Sequence, residues 1–311
     1  MSRHVILGAG PVARAVAASL AARGIDAAVV SRSGTEVPGA TAVKCDALDT
    51  AALAQVVSGA GAVYQASQPE YHRWVKEFPP LQSSIVSALR GSSTVLVAVE
   101  NLYGYGPVSG PLTENLPLSA TTRKGKVRAA MWRQLQSENA TGNIRATAGR
   151  ASDFFGPHAA GSFVGDRFFL PLLKGRKAEM LGDLDARHSF TYVGDFGEAL
   201  VRLALDERSL GRAWHVPNAP AVTNREFLER AAAAAGAAPR AVIRGKFQMA
   251  LAGIFIPPAR EMVEMMYEFE EDFVVDHSAY AAAFGDHATP LEQSIAATVG
   301  WWRTEGAGAA H

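Results

Sequence analysis

Strand-length apolar runs alternate with segments of helical period through the first half of the chain: HVILGAG, PVARAVAASLAARG, AAVV, TAALAQVVSGAG, AVYQAS, LQSSIVSALRG and TVLVAVEN. Near-continuous Val and Leu runs are what strands buried on both faces look like, and their alternation with helices reads as βαβ units. Each predicted helix closes on glycine, at Gly24, at Gly59 and Gly61, and at Gly91, the residue that accepts the left-handed turn past a helix end. The pattern predicts an α/β fold with a Rossmann-type, doubly wound parallel sheet. A helix over about 127–138 and a strand over 144–151 continue it. HSFTYVGDFGEALVRLAL reads as a short strand feeding a helix that opens near Asp195, and RAWHVPN as a further strand. From Val222 the pattern is mostly helical, with one helix capped by Thr223 or Asn224. The Met and aromatic residues of EMVEMMYEFEEDF fall at helical spacing, which suits a core or a domain interface.

The 311 residues suffice for two average domains. Thirty basic residues balance thirty acidic ones, so no long-range field favours a polyanion, and nucleic acid is not expected as a partner. The single cysteine, Cys45, excludes an internal disulfide and a thiolate metal site, and the histidines lack metal-ligand spacing, so no metal is expected. No apolar run approaches the roughly 20 residues of a membrane span, and the opening MSRHVILGAG is not a secretory leader, so a cytoplasmic protein without membrane contact is expected.

Gly8-Ala9-Gly10-Pro11-Val12-Ala13 is G-x-G-x-x-A placed directly between a predicted strand and a predicted helix. Gly8 permits the tight turn and Gly10 lets a pyrophosphate approach the backbone. Small Ala13 lets helix and strand pack while the helix N-terminus faces the anion. A dinucleotide is the expected ligand. About 20 residues on, where an acid would hold a free ribose diol, the chain has Ser31-Arg32-Ser33. A guanidinium pairs with phosphate in a fork, so NADP is expected, with NAD possible and Arg32 otherwise a solvated loop charge. The expected organisation is a dinucleotide-binding domain over 1–165, to which 188–218 return, and a smaller, mostly helical C-terminal substrate domain over 219–311 with a contribution from 166–187.

These motifs, with CDALD at 45–49, YQAS at 64–67, Asn101 through Gly106, RASDFFGP at 150–157, FTYVGDFGEAL at 190–200 and the closing AFGDHATPLEQSIAATVGWWR, resemble the extended short-chain dehydrogenases/reductases, the group of nucleotide-sugar epimerases and dehydratases. The resemblance spans nearly the whole chain. It implies that Asp46 reaches the adenine with Ala47 beside it, that Ala66 and Ser67 run along the cofactor, and that the protein pairs as a homodimer. The pairing would run through the helices at about 80–90 and 127–138, which carry Ile85, Val86, Leu89, Val127, Met131, Trp132 and Leu135; the same apolar faces could instead pack on the sheet.

The chain departs from that family where the chemistry lies. Members with dehydrogenase activity carry a Ser or Thr after the fifth strand and a Tyr-x-x-x-Lys pair. Alignment on Gly106 puts Asn101 at the first position, and alignment on the following helix puts Thr122 at the tyrosine and Lys126 at the lysine, with Lys124 nearby. A threonine hydroxyl is far too weak an acid to replace a phenol. Tyr103 shares Asn101's side if extended geometry persists for two more residues, which makes it the candidate acid, or else a loop tyrosine packed on the sheet edge. Tyr105 is expected to be architectural. Tyr71, His72 and Trp74, with Phe154, suggest a pocket for a small, fairly apolar substrate, and His72 is either a proton donor or an exposed histidine. Lys126 would hold the nicotinamide ribose while Asn101 and Tyr103 stabilise an oxyanion. Three functions stay open: an NADP-dependent oxidoreductase of a carbonyl or conjugated substrate; an epimerase, dehydratase or cyclase without net redox; and a non-catalytic dinucleotide sensor.

Overall fold

The computed structural model describes residues 2–255 and 257–306. Six strands, β1 (His4–Leu7), β2 (Ala27–Ser31), β3 (Thr41–Lys44), β4 (Ala62–Gln65), β5 (Val95–Glu100) and β6 (Arg145–Arg150), are joined at one edge by Ala213–His215. Their order is Ala213–His215, β6, β5, β4, β1, β2, β3, and every pairing is parallel. The order reverses between β1 and β4, where Ile6 pairs with Val29 on one side and with Tyr64 on the other. In such sheets the crevice beyond the carboxyl ends at the reversal is the ligand site.

Alternation along β1 sends Val5 and Leu7 to one face and Ile6 to the other. On the first face they pack under α2 (Thr50–Val57), α3 (Trp74–Leu89) and α4 (Arg123–Ala140), with Leu53, Ile85, Leu96, Met131 and Leu135. On the second, Ile6 joins α1 (Pro11–Ala22) and α6 (Val193–Leu205) through Val16, Leu20, Phe196 and Leu200. Gly197 explains how closely these helices approach: a methyl there would lie 2.5 Å from the Ala15 carbonyl carbon. A separate core gathers Phe155, Phe168, Phe169, Phe190, Phe227 and Trp302, with α5 (Asp166–Leu173), α7 (Asn224–Ala235) and Leu291–Trp301 around it. Asp195 ties the two parts by accepting from the Thr289 amide at 2.8 Å and its hydroxyl at 2.6 Å.

Three local outcomes depart from the sequence pattern. Strand β3, which no apolar run announces, is an edge strand with three of its four residues exposed. Helix α3 opens at Trp74 and runs through Pro79 and Pro80. Interior prolines cost a helix about 3 kcal/mol each, offset here by burial of Trp74, Phe78, Leu81 and Ile85 along one stripe. The Met-rich stretch is not one helix but the end of the helix Pro257–Met262, a 3₁₀ turn at Val263–Met265 and a single turn at Tyr267–Glu270, with Met265 and Met266 in the core as expected. Thr223 is the cap of α7, in a reciprocal box with Glu226. Among the described residues no helix is long and apolar enough to cross a membrane.

Candidate active site

The glycine motif builds an anion cradle. Gly8 has φ +103°, and a side chain there would place Cβ 2.9 Å from the Ser67 backbone, so the β1 turn can abut the end of β4 only without one. Gly10 caps α1 with open space where a Cβ would project. Pro11 occupies the first helical position, where its missing N–H removes no helix bond. Val12 and Ala13 are buried beneath, and their first-turn amides lack helical partners. Ser67 Oγ is buried without a hydrogen-bond partner against this turn. An open approach, orphan donors and a helix N-terminus fit a pyrophosphate.

At the neighbouring strand end, Ser31 Oγ accepts from the Thr35 amide at 2.8 Å, and the Ser33 and Thr35 hydroxyls lie 2.7 Å apart. Arg32 is exposed and forms no ion pair with another described residue. The Cys45 amide donates to the Ser31 carbonyl at 3.1 Å, which brings Asp46 and half-buried Ala47 to this side. Asp46 is exposed and accepts from the Leu48 amide at 3.0 Å. Ala66 follows β4 with its amide 3.0 Å from the Tyr64 carbonyl.

Beyond β5 the chain turns instead of continuing extended. The Tyr105 amide donates to the Leu102 carbonyl and the Gly106 amide to the Tyr103 carbonyl, while Asn101 Oδ1 accepts from the Tyr103 amide at 3.3 Å. The alternation that put Tyr103 beside Asn101 therefore does not apply, and Asn101's oxygen serves the turn. Tyr103 nevertheless reaches a phenol partner. Its ring packs on Trp74 at 5.9 Å and its hydroxyl faces that of Tyr71, outside good hydrogen-bond geometry. Burial, then the neighbouring Tyr71, Glu268 and Asp153, raise the Tyr103 phenol well above its ordinary range. Burial does the same for Tyr71. Both are neutral donors in the resting protein.

The two candidate lysines differ in burial. Lys126 is exposed, whereas Lys124 is fully buried, with Nζ 4.5 Å from the Tyr71 ring centre and ion-paired to Glu261 and Glu264. Those carboxylates come from a segment remote in sequence, Glu261 from the helix Pro257–Met262 and Glu264 from the turn after it, and Arg123 adds two bonds to Glu261 at 2.9 and 3.0 Å. Thr122 caps α4 by accepting from the Gly125 amide at 3.2 Å. Counting the family's four-residue spacing back from Lys124 reaches Ala120, buried beside Gly106. The usual acid is absent in either register.

The structure adds a set of groups that sequence reasoning missed. Asp153, just past β6, accepts at 3.0 Å from His188 Nε2, and His188 Nδ1 lies 3.2 Å from the Glu268 carbonyl. Tyr267 donates to Glu268 Oε1 at a long 3.4 Å. Glu268 is 1% exposed; burial, then the Asp153 charge, raise its carboxyl well above the usual range, against the bond from Tyr267. These residues come from segments remote in sequence. The one local hint was Asp153 in the RASDFFGP element.

Other expectations resolve individually. Trp74 is buried, edge-on to Tyr71 and Phe78 at 5.0 Å each, so it backs the phenols from within the core. His72 lies at the surface, 3.6 Å from Glu70. Phe154 is half-buried against the layer under α1 and α6. Tyr105 is architectural: its hydroxyl meets Arg150 at 2.7 Å and His215 Nε2 at 2.8 Å, where a buried Glu100–Arg150 pair joins the carboxyl ends of β5 and β6. The apolar residues offered for pairing, Val127 partly and the other six fully buried, pack on the sheet within one chain. Among the described residues no group of three or more His, Cys, Asp or Glu could hold a metal.

Fold and cradle define a Rossmann-type enzyme of the extended short-chain dehydrogenase/reductase kind. The chain belongs to the NAD dependent epimerase/dehydratase family, whose model matches residues 4–216. Similar solved structures include the Bordetella bronchiseptica enzyme WbmH in complex with NAD⁺, at 21% identity and TM-score 0.74, covering 98% of this chain and 100% of that one. The UDP-glucuronic acid 4-epimerase of Bacillus cereus in complex with NAD is 13% identical, with TM-score 0.77 and coverage of 97% and 98%. DesIV, a dTDP-glucose 4,6-dehydratase of Streptomyces venezuelae, solved as a double mutant with NAD bound, is 17% identical, with TM-score 0.79 and coverage of 99% and 98%. No curated protein matches the chain.

Proposed function

We propose that this enzyme is an NADP-dependent oxidoreductase acting on a small, fairly apolar carbonyl or conjugated substrate. The observation that carries the reading is the pair of neutral phenols, Tyr71 and Tyr103, both packed on the Trp74 ring beyond the carboxyl ends of β4 and β5, with buried Lys124 over the Tyr71 ring. The α1 N-terminus, Gly10 and Ser67 would hold the pyrophosphate, and Asp46 the adenine. Arg32, with the hydroxyls around Ser31, would hold a 2′-phosphate. When bound, the nicotinamide supplies or accepts hydride at the substrate carbon. The phenols hold the substrate oxygen by donating to it, a role that needs them protonated, as burial keeps them. Trp74 fixes their direction and Lys124 biases the charge that develops beside Tyr71.

A second reading, an epimerase or dehydratase without net redox, is favoured by the Asp153–Glu268 pair, since two carboxyls in unlike environments suit opposite acid and base roles.

Native mass spectrometry identifies any co-purifying dinucleotide, and titration calorimetry compares NADPH with NADH. NADPH should bind more tightly, and Arg32→Ala should cost about 1.5–3 kcal/mol for NADPH alone. Equal affinities in the wild type would overturn the NADP assignment. Substrate conversion without change in cofactor absorbance would select the second reading.

A further inference from the structure

The large apolar side chains left at the surface are gathered in one place. Of the eight that are exposed among the described residues, five lie between Ile243 and Phe255. Phe247, Leu251 and the pair Ile254–Phe255 follow at helical spacing along α8 (Lys246–Ala252) and the turn after it, where the Ile254 and Phe255 amides donate to the Leu251 and Ala252 carbonyls at 3.3 and 3.1 Å. They share one side of the arm, and Phe247 and Phe255 are 78% and 84% exposed. The other side is anchored, with Met249 buried among Leu181, Met266 and Phe269. Positive charge surrounds the apolar row. From Ala231 to Arg260 the sequence has four basic residues, Arg240, Arg244, Lys246 and Arg260, and no acidic one, in a chain of zero net charge. All four are exposed, and among the described residues only Arg244 has an ion pair, to Glu179 at 3.5 Å. Lys246 opens α8 beside Phe247. A Cβ on Gly253 would lie 2.6 Å from the Arg260 Cα, so the returning chain sets Arg260 against the far end of the row.

We propose that this arm is a membrane-surface contact whose partner is a bilayer bearing anionic phospholipid headgroups. Phe247, Leu251, Ile254 and Phe255 enter the boundary between headgroups and acyl chains, and Arg240, Lys246 and Arg260 meet the phosphates. An anionic bilayer answers both features at once: the apolar row is removed from water, and the three cations without an ion pair among the described residues gain counter-charge. A second copy of this chain answers neither well. Two-fold pairing would set the cations against the same cations. Five side chains on a short helix and its turn expose on the order of a few hundred Å², below the roughly 800 Å² that a stable protein pair covers on each partner. The expectation of no membrane contact rested on the lack of a spanning run and of a leader, and a helix that lies on the surface requires neither.

The test floats the full chain with vesicles of phosphatidylcholine alone or with a third of phosphatidylglycerol. The anionic vesicles should bind the protein about tenfold or more tightly than the neutral ones, and added salt should weaken that binding. Lys246→Gln combined with Arg260→Gln should weaken it by about fivefold per cation removed, hence about twenty-five-fold. Phe247→Ser combined with Phe255→Ser should abolish it at an unchanged urea midpoint, because both rings are exposed. Leu205→Ser, at an exposed leucine ending α6, should change nothing. Phe247→Trp should show emission shifted to shorter wavelength on anionic vesicles and quenching by brominated acyl chains, against five native tryptophans that are all buried. The proposal is overturned if anionic vesicles leave the chain in solution, if neutral vesicles bind it equally, or if the paired phenylalanine change leaves flotation intact. It is overturned as well if light scattering shows a dimer that the same change converts to monomer, which would assign the face to a second copy.

Discussion

Replacing Lys124 with methionine isolates what its buried charge does. The side chain is fully buried, meets Glu261 and Glu264, and lies over the Tyr71 ring at 4.5 Å. Removing one partner of a buried ion pair costs about 3–5 kcal/mol when the other charge is stranded. Here Glu261 keeps two bonds from Arg123, and Glu264 still accepts from the Arg123 amide at 2.9 Å, so neither carboxylate is wholly orphaned. The lost contact with the Tyr71 ring adds about 0.5–2 kcal/mol. The sum for Lys124→Met is a loss of about 2–4 kcal/mol, read as a lower urea midpoint at unchanged m-value. Exposed Lys126→Met should stay within about 0.5 kcal/mol. Combining Lys124→Met with Glu261→Gln should recover about 0.5–3 kcal/mol of the summed single losses, because the two groups are coupled. Equal effects at Lys124 and Lys126, or strict additivity in the double variant, would refute the reasoning.

The two cradle glycines should separate stability from binding. Gly8→Ala, at φ +103° and against the Ser67 backbone, should destabilise by about 1–3 kcal/mol or more in urea, whereas Gly10→Ala should leave the midpoint nearly unchanged and abolish measurable dinucleotide binding by calorimetry. Tyr103→Phe should keep dinucleotide affinity and slow reduction of a turned-over carbonyl probe by about 10²–10⁴; Thr122→Ala should instead cost about 1 kcal/mol of stability through the lost α4 cap, with little effect on turnover. Burial alone would raise the Glu198 carboxyl, yet bonds from Arg23, Arg202 and Ser19 lower it to about 2 from an ordinary 4.5. The resulting stabilisation, about 3 kcal/mol, is fully present above pH 4.5 and is lost as pH falls toward 2. Glu198→Gln should therefore be less stable at neutral pH and flatter in acid-unfolding curves.

The sequence by itself determined the central sheet's buried strands, most helices and the anion cradle, because each is written in contiguous residues. Val and Leu runs mark strands buried on both faces, and the glycine motif joins one strand to one helix. The edge strand β3 escaped because a mostly exposed strand carries no apolar signature. The helix expected at about 80–90 opens earlier, at Trp74, because the Trp74–Phe78–Leu81–Ile85 stripe carries it through Pro79 and Pro80, residues that disfavour a helix interior. Between Lys124 and Lys126 the sequence had no means to choose. Two positions on a helix point to nearly opposite sides, so their burial depends on where α4 begins and what covers it. The carboxylates that pair with Lys124, Glu261 and Glu264, lie over 130 residues away in the chain. Asp153, His188 and Glu268 have no shared spacing either; they meet only because the Tyr267–Glu270 turn packs across the ends of two distant strands. Local periodicity fixes secondary structure through neighbouring side chains, whereas protonation at the site follows from burial and charges that only the folded chain brings together.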